Sequence, residues 1–338
     1  MTTYTTMGRS GLKVSRACLG TMNFGDTGVA SCDEREAARI VDAFVDAGGT
    51  FIDTAGNYSG GQSEEIVGRA VKGRRDSVVI ATKAFFPQGP GPNDRGLSRV
   101  HLTRALEAAL RRLGTDYVDL YQCHAWDADT PIEETMATLD GFVRSGKVRY
   151  IGCSNFTAAQ IVEAQWAAQR VGGTPLVSLQ PQYSLIRRVI EAEILPACER
   201  HGLGALVWSP LGGGVLTGRY AGGTAPDRDS RIGRLLAFPG AAGRAWADDL
   251  LNPRTLAVAA EVGKVADELG ATSAAVALAW VRARAGVTSV IIGPRTVAHL
   301  EGSMAGFALD LPEEAAARLD EVSWTGDLTP VTGMLAAG

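Results

Sequence analysis

The sequence predicts an α/β fold: a closed (β/α)8 TIM barrel with an N-terminal β-hairpin and extra C-terminal helices, one domain over residues 1–338. Three observations predict it. Short apolar, β-prone runs alternate with segments whose apolar residues recur every three or four positions, the pattern of parallel strands joined by right-handed helical crossovers. The runs number eight and mostly follow one another at about 30 residues, which fits a closed barrel better than an open sheet. Neither a linker nor a shift in composition interrupts the 338 residues, and barrels of this kind reach that length as one domain.

The elements follow in order. Two short β-prone runs, Tyr4–Thr6 and Lys13–Ser15, flank a polar turn around Gly8 and Gly11, so a hairpin is expected first. Strands are expected at 17–20, 50–53, 78–82, 117–122, 148–153, 176–180, 205–208 and 289–292. Helices are expected between them at 34–47, 63–71, 98–113, 132–145, 157–169, 190–200 and 254–269. The interval before the last strand is about twice the others. It opens with a Gly- and Arg-rich tract, 211–253, with little helical periodicity, read as a long irregular loop that is functional or mobile. An extra helix is expected at 272–284, and another at 312–322 trails the eighth.

Composition excludes several classes. The 33 basic and 37 acidic residues leave a net charge of -4 and form no basic stripe, so nucleic acid is not an expected partner. The N-terminus lacks the apolar centre of a signal peptide, and no stretch approaches the roughly 18 uncharged apolar residues of a membrane span, so a cytoplasmic protein is expected. Cys18, Cys32, Cys123, Cys153 and Cys198 are scattered without a C-x-x-C pair and read as reduced thiols. The four histidines, at 101, 124, 201 and 299, make no H-x-H or H-x-x-x-H pair, which argues against a metal-dependent hydrolase. There is no G-x-G-x-x-G after the first strand, no Walker loop and no G-x-S-x-G elbow.

In a barrel the C-terminal strand ends converge on one mouth, where chemistry is expected. Asp53 ends the second strand, with Tyr58 in the turn-rich segment beyond it, Lys83 ends the third and His124 the fourth. Ser154 and Asn155 end the fifth, Gln180 the sixth, Trp208 and Ser209 the seventh, and Gly293, Pro294 and Arg295 follow the eighth. Each has a plainer reading. An aspartate after a strand often caps the next turn, a lone lysine is usually solvated, and a histidine closing an apolar strand is more often a core residue than a catalyst. Tyr58 alone would be a packing residue with a wet hydroxyl. The set, at one level of consecutive strands, favours chemistry.

That chemistry follows from the groups. A phenol with an ordinary pKa of about 10 is a reluctant proton donor at neutral pH. An ammonium beside it stabilises phenolate, and a carboxylate orients the ammonium and balances its charge. Asp53, Lys83 and Tyr58 together read as a tunable general acid, and His124 as a hydrogen-bond donor that orients a carbonyl oxygen or tunes the phenol further. Such an assembly protonates an alkoxide but supplies no electrons. Phe24, Phe85, Phe86 and Trp126, in loops beside these strands, line an apolar pocket for bulky carbonyls or else pack beneath the loops.

The motifs stand in order along nearly the whole chain. They include Leu19-Gly-Thr-Met-Asn-Phe-Gly25, Asp53-Thr-Ala with Tyr58, Ser63-Glu-Glu-Ile-Val-Gly68 and Ala81-Thr-Lys83. Ser145-Gly-Lys-Val-Arg149, Ile151-Gly-Cys-Ser-Asn-Phe156, Gln180-Pro-Gln-Tyr-Ser184 and Trp208-Ser-Pro-Leu-Gly212 continue the series. On these the chain resembles the aldo-keto reductases, within them the branch of aryl-alcohol-dehydrogenase-like enzymes and potassium-channel β subunits.

The resemblance implies a catalytic tetrad of Asp53, Tyr58, Lys83 and His124, and NADPH lying across the mouth as reductant of an aldehyde or ketone. Gly20, Thr21 and Met22 would line the nicotinamide and ribose, with Asp53 near that end. Ser154, Asn155 and Gln180 would bind the carboxamide, and Trp208 would stack on the ring. Ser209, Leu211, Gly213, Arg219 and Arg231 would wrap the pyrophosphate, although both arginines also read as solvated loop charges. Arg295, preceded by Gly293, would grip the adenosine 2′-phosphate, favouring NADPH over NADH. Where relatives commonly carry a glutamine and a Glu-Asn pair, His299, Gly302 and Ser303 stand here, so fewer amide contacts reach the adenine. The implied partner is a small carbonyl compound, with homo-oligomerisation left open and no metal. The alternative is an NADPH-binding redox-sensing or regulatory subunit with little turnover.

Overall fold

The computed structural model describes residues 3–26, 32–237 and 241–324. The opening hairpin, β1 (Tyr4–Thr6) and β2 (Lys13–Ser15), is antiparallel. The eight strands that follow are β3 (Ala17–Gly20), β4 (Phe51–Asp53), β5 (Val79–Ala84), β6 (Val118–Cys123), β7 (Val148–Ser154), β8 (Ser178–Gln180), β9 (Gly204–Val207) and β10 (Val287–Ile292). They close a parallel barrel in the order β10-β3-β4-β5-β6-β7-β8-β9.

Apolar strands and amphipathic helices explain this architecture. Inside the barrel, Cys18, Phe51, Ala81, Leu120, Leu206 and Ile291 form one cluster with Met7 and Val14 of the hairpin. Arg9 N donates to Gly202 O at 2.9 Å, just ahead of β9, so the hairpin plugs the N-terminal end of the barrel. The opposite end is left to the loops. Outside run α1 (Glu34–Asp46), α2 (Gln62–Ala70), α3 (Arg99–Leu113), α4 (Ile132–Arg144), α5 (Ala158–Arg170) and α6 (Ile194–His201). Their apolar stripes pack on the strands in a second, larger cluster. Side-chain caps set several helix starts: Asp33 accepts from Glu36 N, Ser98 from His101 N, and Thr157 forms a capping box with Gln160.

Two expectations change. The helix expected at 190–200 starts later: Val189–Glu191 is a 3-10 turn and α6 begins at Ile194. Pro196 has no N–H to donate and is tolerated only in a first turn, which limits how far upstream the helix can begin. The tract 211–253 is not one irregular loop. After 3-10 turns at Gly212–Thr217 and Ala221–Gly223 it holds α7 (Arg231–Ala237) and α8 (Ala241–Leu250). The first is only 7 residues long, and the second has Trp246 and Leu250 as its only large apolar side chains, so periodicity does not reveal them. The start of α7 is set by contact: Ser230 Oγ accepts from Gly233 N at 3.0 Å. Beyond these lie α9 (Pro253–Leu269), α10 (Ser273–Ala283), α11 (Val297–Ala308) and α12 (Glu313–Ser323). No helix among the described residues is long and apolar enough to cross a membrane.

Candidate active site

Strand alternation builds the site. Successive side chains of a strand point to opposite faces, so Asp53, Lys83 and Gln122 stand on the same inner side as Phe51, Ala81 and Leu120, one step nearer the mouth. Lys83 pairs in register with Gln122, and Ser154 with Gln180. Tyr58 comes from the turn after β4, where Ser59, Gly60 and Gly61 all take left-handed backbone angles, φ 48°, 64° and 99°.

Lys83 Nζ donates to Asp53 Oδ2 at 2.7 Å, to Thr54 O at 2.9 Å and to the Tyr58 hydroxyl at 3.2 Å. An ammonium has three donors, and all are used. The pair is shut from water, with side chains 0% and 3% exposed for Lys83 and Asp53. The other carboxylate oxygen, Oδ1, accepts from Gln180 Nε2 at 2.8 Å and from Gln122 Nε2 at 3.4 Å. The His124 ring stands edge to face with Tyr58, centroids 5.9 Å apart, and with Phe86 at 4.8 Å. His124 Nδ1 is buried without a hydrogen-bond partner among the described residues.

Charge states follow from these contacts. Burial disfavours the Lys83 ammonium, yet Asp53 and Tyr58 outweigh it and hold the proton above the usual lysine range. For Tyr58 the balance is reversed: burial pushes the phenol up by more than Lys83 pulls it down. The sequence points to a general acid tuned by an ammonium; in the folded site burial outweighs that tuning, and the phenol stays protonated, the form that can give a proton. Burial first, and the Lys83 charge second, drive His124 well below the usual histidine range, so its imidazole is neutral.

A linkage prediction follows for His124. Its folded pKa lies below its unfolded value, so on acidification the unfolded chain binds the proton first and stability falls as pH drops below about 6.5. His124→Gln removes that contribution. Denaturant unfolding at pH 8 and pH 5 is expected to show the wild type losing more stability than the variant, and equal losses would count against a buried neutral imidazole.

The neighbouring polar groups hold one another. Ser154 Oγ donates to Gln180 O at 2.8 Å, and Asn155 Nδ2 to His124 O at 3.0 Å. Trp208 Nε1 donates to Asn155 Oδ1 at 3.1 Å, which anchors the indole at the mouth. Asn155 and Ser209 have left-handed φ, 62° and 56°, a strain that gathers where structure over-determines a backbone. Thr21 Oγ1 donates to Asp53 O at 3.0 Å, behind Gly20 and beside Met22.

The arginines divide. Arg231 turns inward: Nη2 lies 3.7 Å from Met22 Sδ, its guanidinium is 5.8 Å from the Trp246 ring centre, and its charge acts on Tyr58. Arg295 binds the Asp229 carbonyl. Burial, then Arg219 and Arg234, lower its pKa, and burial, Arg295 and Arg219 lower that of His299. Positive charges therefore crowd beyond β10. Gly293 O accepts from Asn23 Nδ2 at 2.9 Å, and Ser303 Oγ donates to His299 O at 2.8 Å within α11. Leu211 and Gly213 sit at the 3-10 turn that opens the tract after β9.

Of the expected pocket residues, Phe85, Phe86 and Trp126 are half-buried at the mouth. Phe85 meets Phe86 at 5.3 Å and Trp126 meets Phe156 at 5.1 Å. Phe24 is a correction: it is 0% exposed within the main core and packs beneath its loop instead of facing a pocket. Two site residues escape sequence reasoning, Gln122 and Trp246. Counting back by two from His124 along β6 would have exposed Gln122. Trp246 carried only the signal of a large aromatic in a Gly-rich tract. Among the described residues no three His, Cys, Asp or Glu side chains gather as a metal site requires.

Sequence comparison places the chain that builds this barrel in a known family. The Aldo/keto reductase family matches residues 16–323, and the chain belongs to that family. It is 42% identical to an uncharacterized oxidoreductase, YrpG, of Bacillus subtilis, over 94% of this chain and 95% of that protein. It is 40% identical to a probable voltage-gated potassium channel subunit beta of Arabidopsis thaliana, over 89% of this chain and 90% of that one. Norsolorinic acid reductase of Aspergillus flavus is 33% identical over 92% of this chain and 78% of its own length. Family and relatives make the chain an oxidoreductase of the aldo-keto reductase type.

Proposed function

We propose that this protein reduces an aldehyde or ketone to an alcohol with NADPH as its reductant and Tyr58 as its general acid. The observation that carries the reading is Lys83, fully buried, donating at once to Asp53 and to a phenol that burial keeps protonated.

The residues present suit a dinucleotide. Burial first, then repulsion from Arg219 and Arg234, depresses the pKa of Arg295, and burial, then Arg295 and Arg219, that of His299; phosphate oxygens would relieve the repulsion. Trp208, pinned by Asn155, offers an aromatic face at the mouth, and Gly20, Thr21 and Met22 border the same end. Gln180 and Ser154 stand beside them, with Ser209, Leu211 and Gly213 along the loop after β9 and Arg231 at the start of α7. When bound, the reduced nicotinamide supplies the hydride.

The chain's own groups manage the proton. Tyr58 releases its hydroxyl proton to the substrate oxygen as negative charge develops there. Lys83, already 3.2 Å from that hydroxyl, stabilises the phenolate left behind, and Asp53 keeps the lysine charged and aimed. Neutral His124 donates a hydrogen bond that orients the carbonyl oxygen. Phe85, Phe86 and Trp126 keep water out and suit aromatic or bulky carbonyls.

The test is NADPH oxidation with a panel of aromatic and aliphatic aldehydes. Turnover is expected; tight NADPH binding with no turnover on any carbonyl would overturn the reading in favour of a nucleotide-holding regulatory subunit. Cofactor choice is tested separately by Arg295→Ala. Loss of a charge-assisted hydrogen bond is expected to raise the NADPH dissociation constant by about 10- to 100-fold and to leave NADH binding nearly unchanged. Equal weakening of both, in a fluorescence titration, would remove Arg295 from 2′-phosphate recognition.

A further inference from the structure

A second buried ion pair lies behind the first. Glu64, on α2, is 0% exposed, as few glutamates are. Its Oε1 accepts from Thr82 Oγ1 at 2.5 Å, and its Oε2 accepts from Arg112 Nε at 2.7 Å. Thr82 directly precedes Lys83 in β5, so alternation sends Lys83 into the barrel and Thr82 outward onto Glu64. Arg112 comes from the last turn of α3.

The arginine also touches the turn that carries Tyr58. A Cβ built on Gly61 would lie 2.7 Å from Arg112 Cδ and 2.8 Å from its Nε. One built on Gly56 would lie 3.1 Å from Arg112 Nη2 and 2.5 Å from Gln88 Nε2. Gly56 and Gly61 bracket Tyr58, and both are in bare contact with the arginine. The turn between them has φ above zero at Ser59, Gly60 and Gly61; the glycines adopt it freely, and only Ser59, whose Oγ donates to Phe24 O at 2.9 Å, needs surrounding contacts to hold it.

We infer that Glu64 and Arg112 are positioning residues: Glu64 locks the strand behind Lys83 and aims Arg112, whose flat guanidinium props the Gly56–Gly61 turn and so sets the Tyr58 to Lys83 distance. Neither touches the reacting atoms. Both act through the phenol, and the inference rests on the reading of Tyr58 as proton donor. A buried carboxylate needs a cation for stability alone, but that need does not require the cation to lie against the two glycines.

Arg112→Lys separates the roles. It keeps a positive charge against Glu64 and removes the planar group from the turn. A displacement of even about 1 Å at a reacting group is costly, so kcat is expected to fall about ten-fold. KM for the carbonyl and the NADPH dissociation constant should stay within about two-fold. Gly56→Ala, made together with Gln88→Ala because its Cβ would meet Gln88 Nε2 first, presses Arg112 Nη2 from the turn side with the ion pair intact, and is expected to give the same split when compared with Gln88→Ala alone; it serves alone if Arg112→Lys does not fold. A merely structural role would lower the unfolding midpoint and leave kcat of the folded enzyme unchanged, and that result in the folded variants would overturn the inference. Tyr58→Phe is assayed alongside: activity retained there would sink the reading of Tyr58 itself, whereas an inactive Tyr58→Phe with normal kcat in Arg112→Lys and Gly56→Ala would sink only the positioning role.

Discussion

Tyr58→Phe is expected to lower the turnover number for carbonyl reduction by about 10²–10⁴-fold, the usual contribution of a positioned general acid. The substitution removes one oxygen and keeps the ring that meets His124 edge to face at 5.9 Å. The turn holding the residue is unaffected, since Tyr58 N donates to Ala55 O through the backbone at 3.1 Å. Lys83 loses one of three acceptors but keeps Asp53 and Thr54 O. The cost in stability is therefore that of one hydrogen bond, about 0.5–1.5 kcal/mol. Stopped-flow reduction of an aldehyde, with NADPH binding measured by fluorescence, separates the effects. An activity within about ten-fold of wild type would mean that another group, or water, gives the proton.

The second large effect falls on stability. Lys83→Met leaves the Asp53 carboxylate, 3% exposed, facing only Gln180 and Gln122. Removing one partner of a buried ion pair leaves an uncompensated charge and costs about 3–5 kcal/mol. The double variant Lys83→Met/Asp53→Asn removes that charge and is expected to recover most of the loss. Neither protein should reduce carbonyls at more than a small fraction of the wild-type rate, because the phenolate then forms without an ammonium beside it. Urea unfolding midpoints are the measurement. A single variant as stable as wild type, or a double variant no better than the single, would show that the lysine is not there to balance the carboxylate.

Three of the four candidate residues were legible because each is a polar residue interrupting or ending an apolar run, and β-strand periodicity is strict enough to place such interruptions at one level. Asp53, Lys83 and His124 are read this way, and the structure gathers them with Tyr58. Gln122 was not: it lies inside a run, where only its spacing of two from His124 hinted at the inner face that its register with Lys83 makes plain. Trp246 and α8 were hidden because Ala241–Leu250 is built of small and charged residues, with Trp246 and Leu250 its only large apolar side chains, and follows a Gly-rich tract. Glu64 and Arg112 were hidden for another reason. Each is a charged residue on an amphipathic helix, and nothing along the chain says that this pair turns inward.

The order of elements, the mouth at which polar groups collect and the family were determined by the sequence itself, since local periodicity and ordered motifs depend only on neighbours along the chain. Tertiary structure alone decided the charge states. Burial sets the desolvation of Tyr58, Lys83 and His124, and it depends on what eight strands and their loops pack around them. Beside Lys83 and Asp53 the phenol was read as a tunable general acid; how far it is tuned is decided by burial at the barrel mouth, where it keeps its proton.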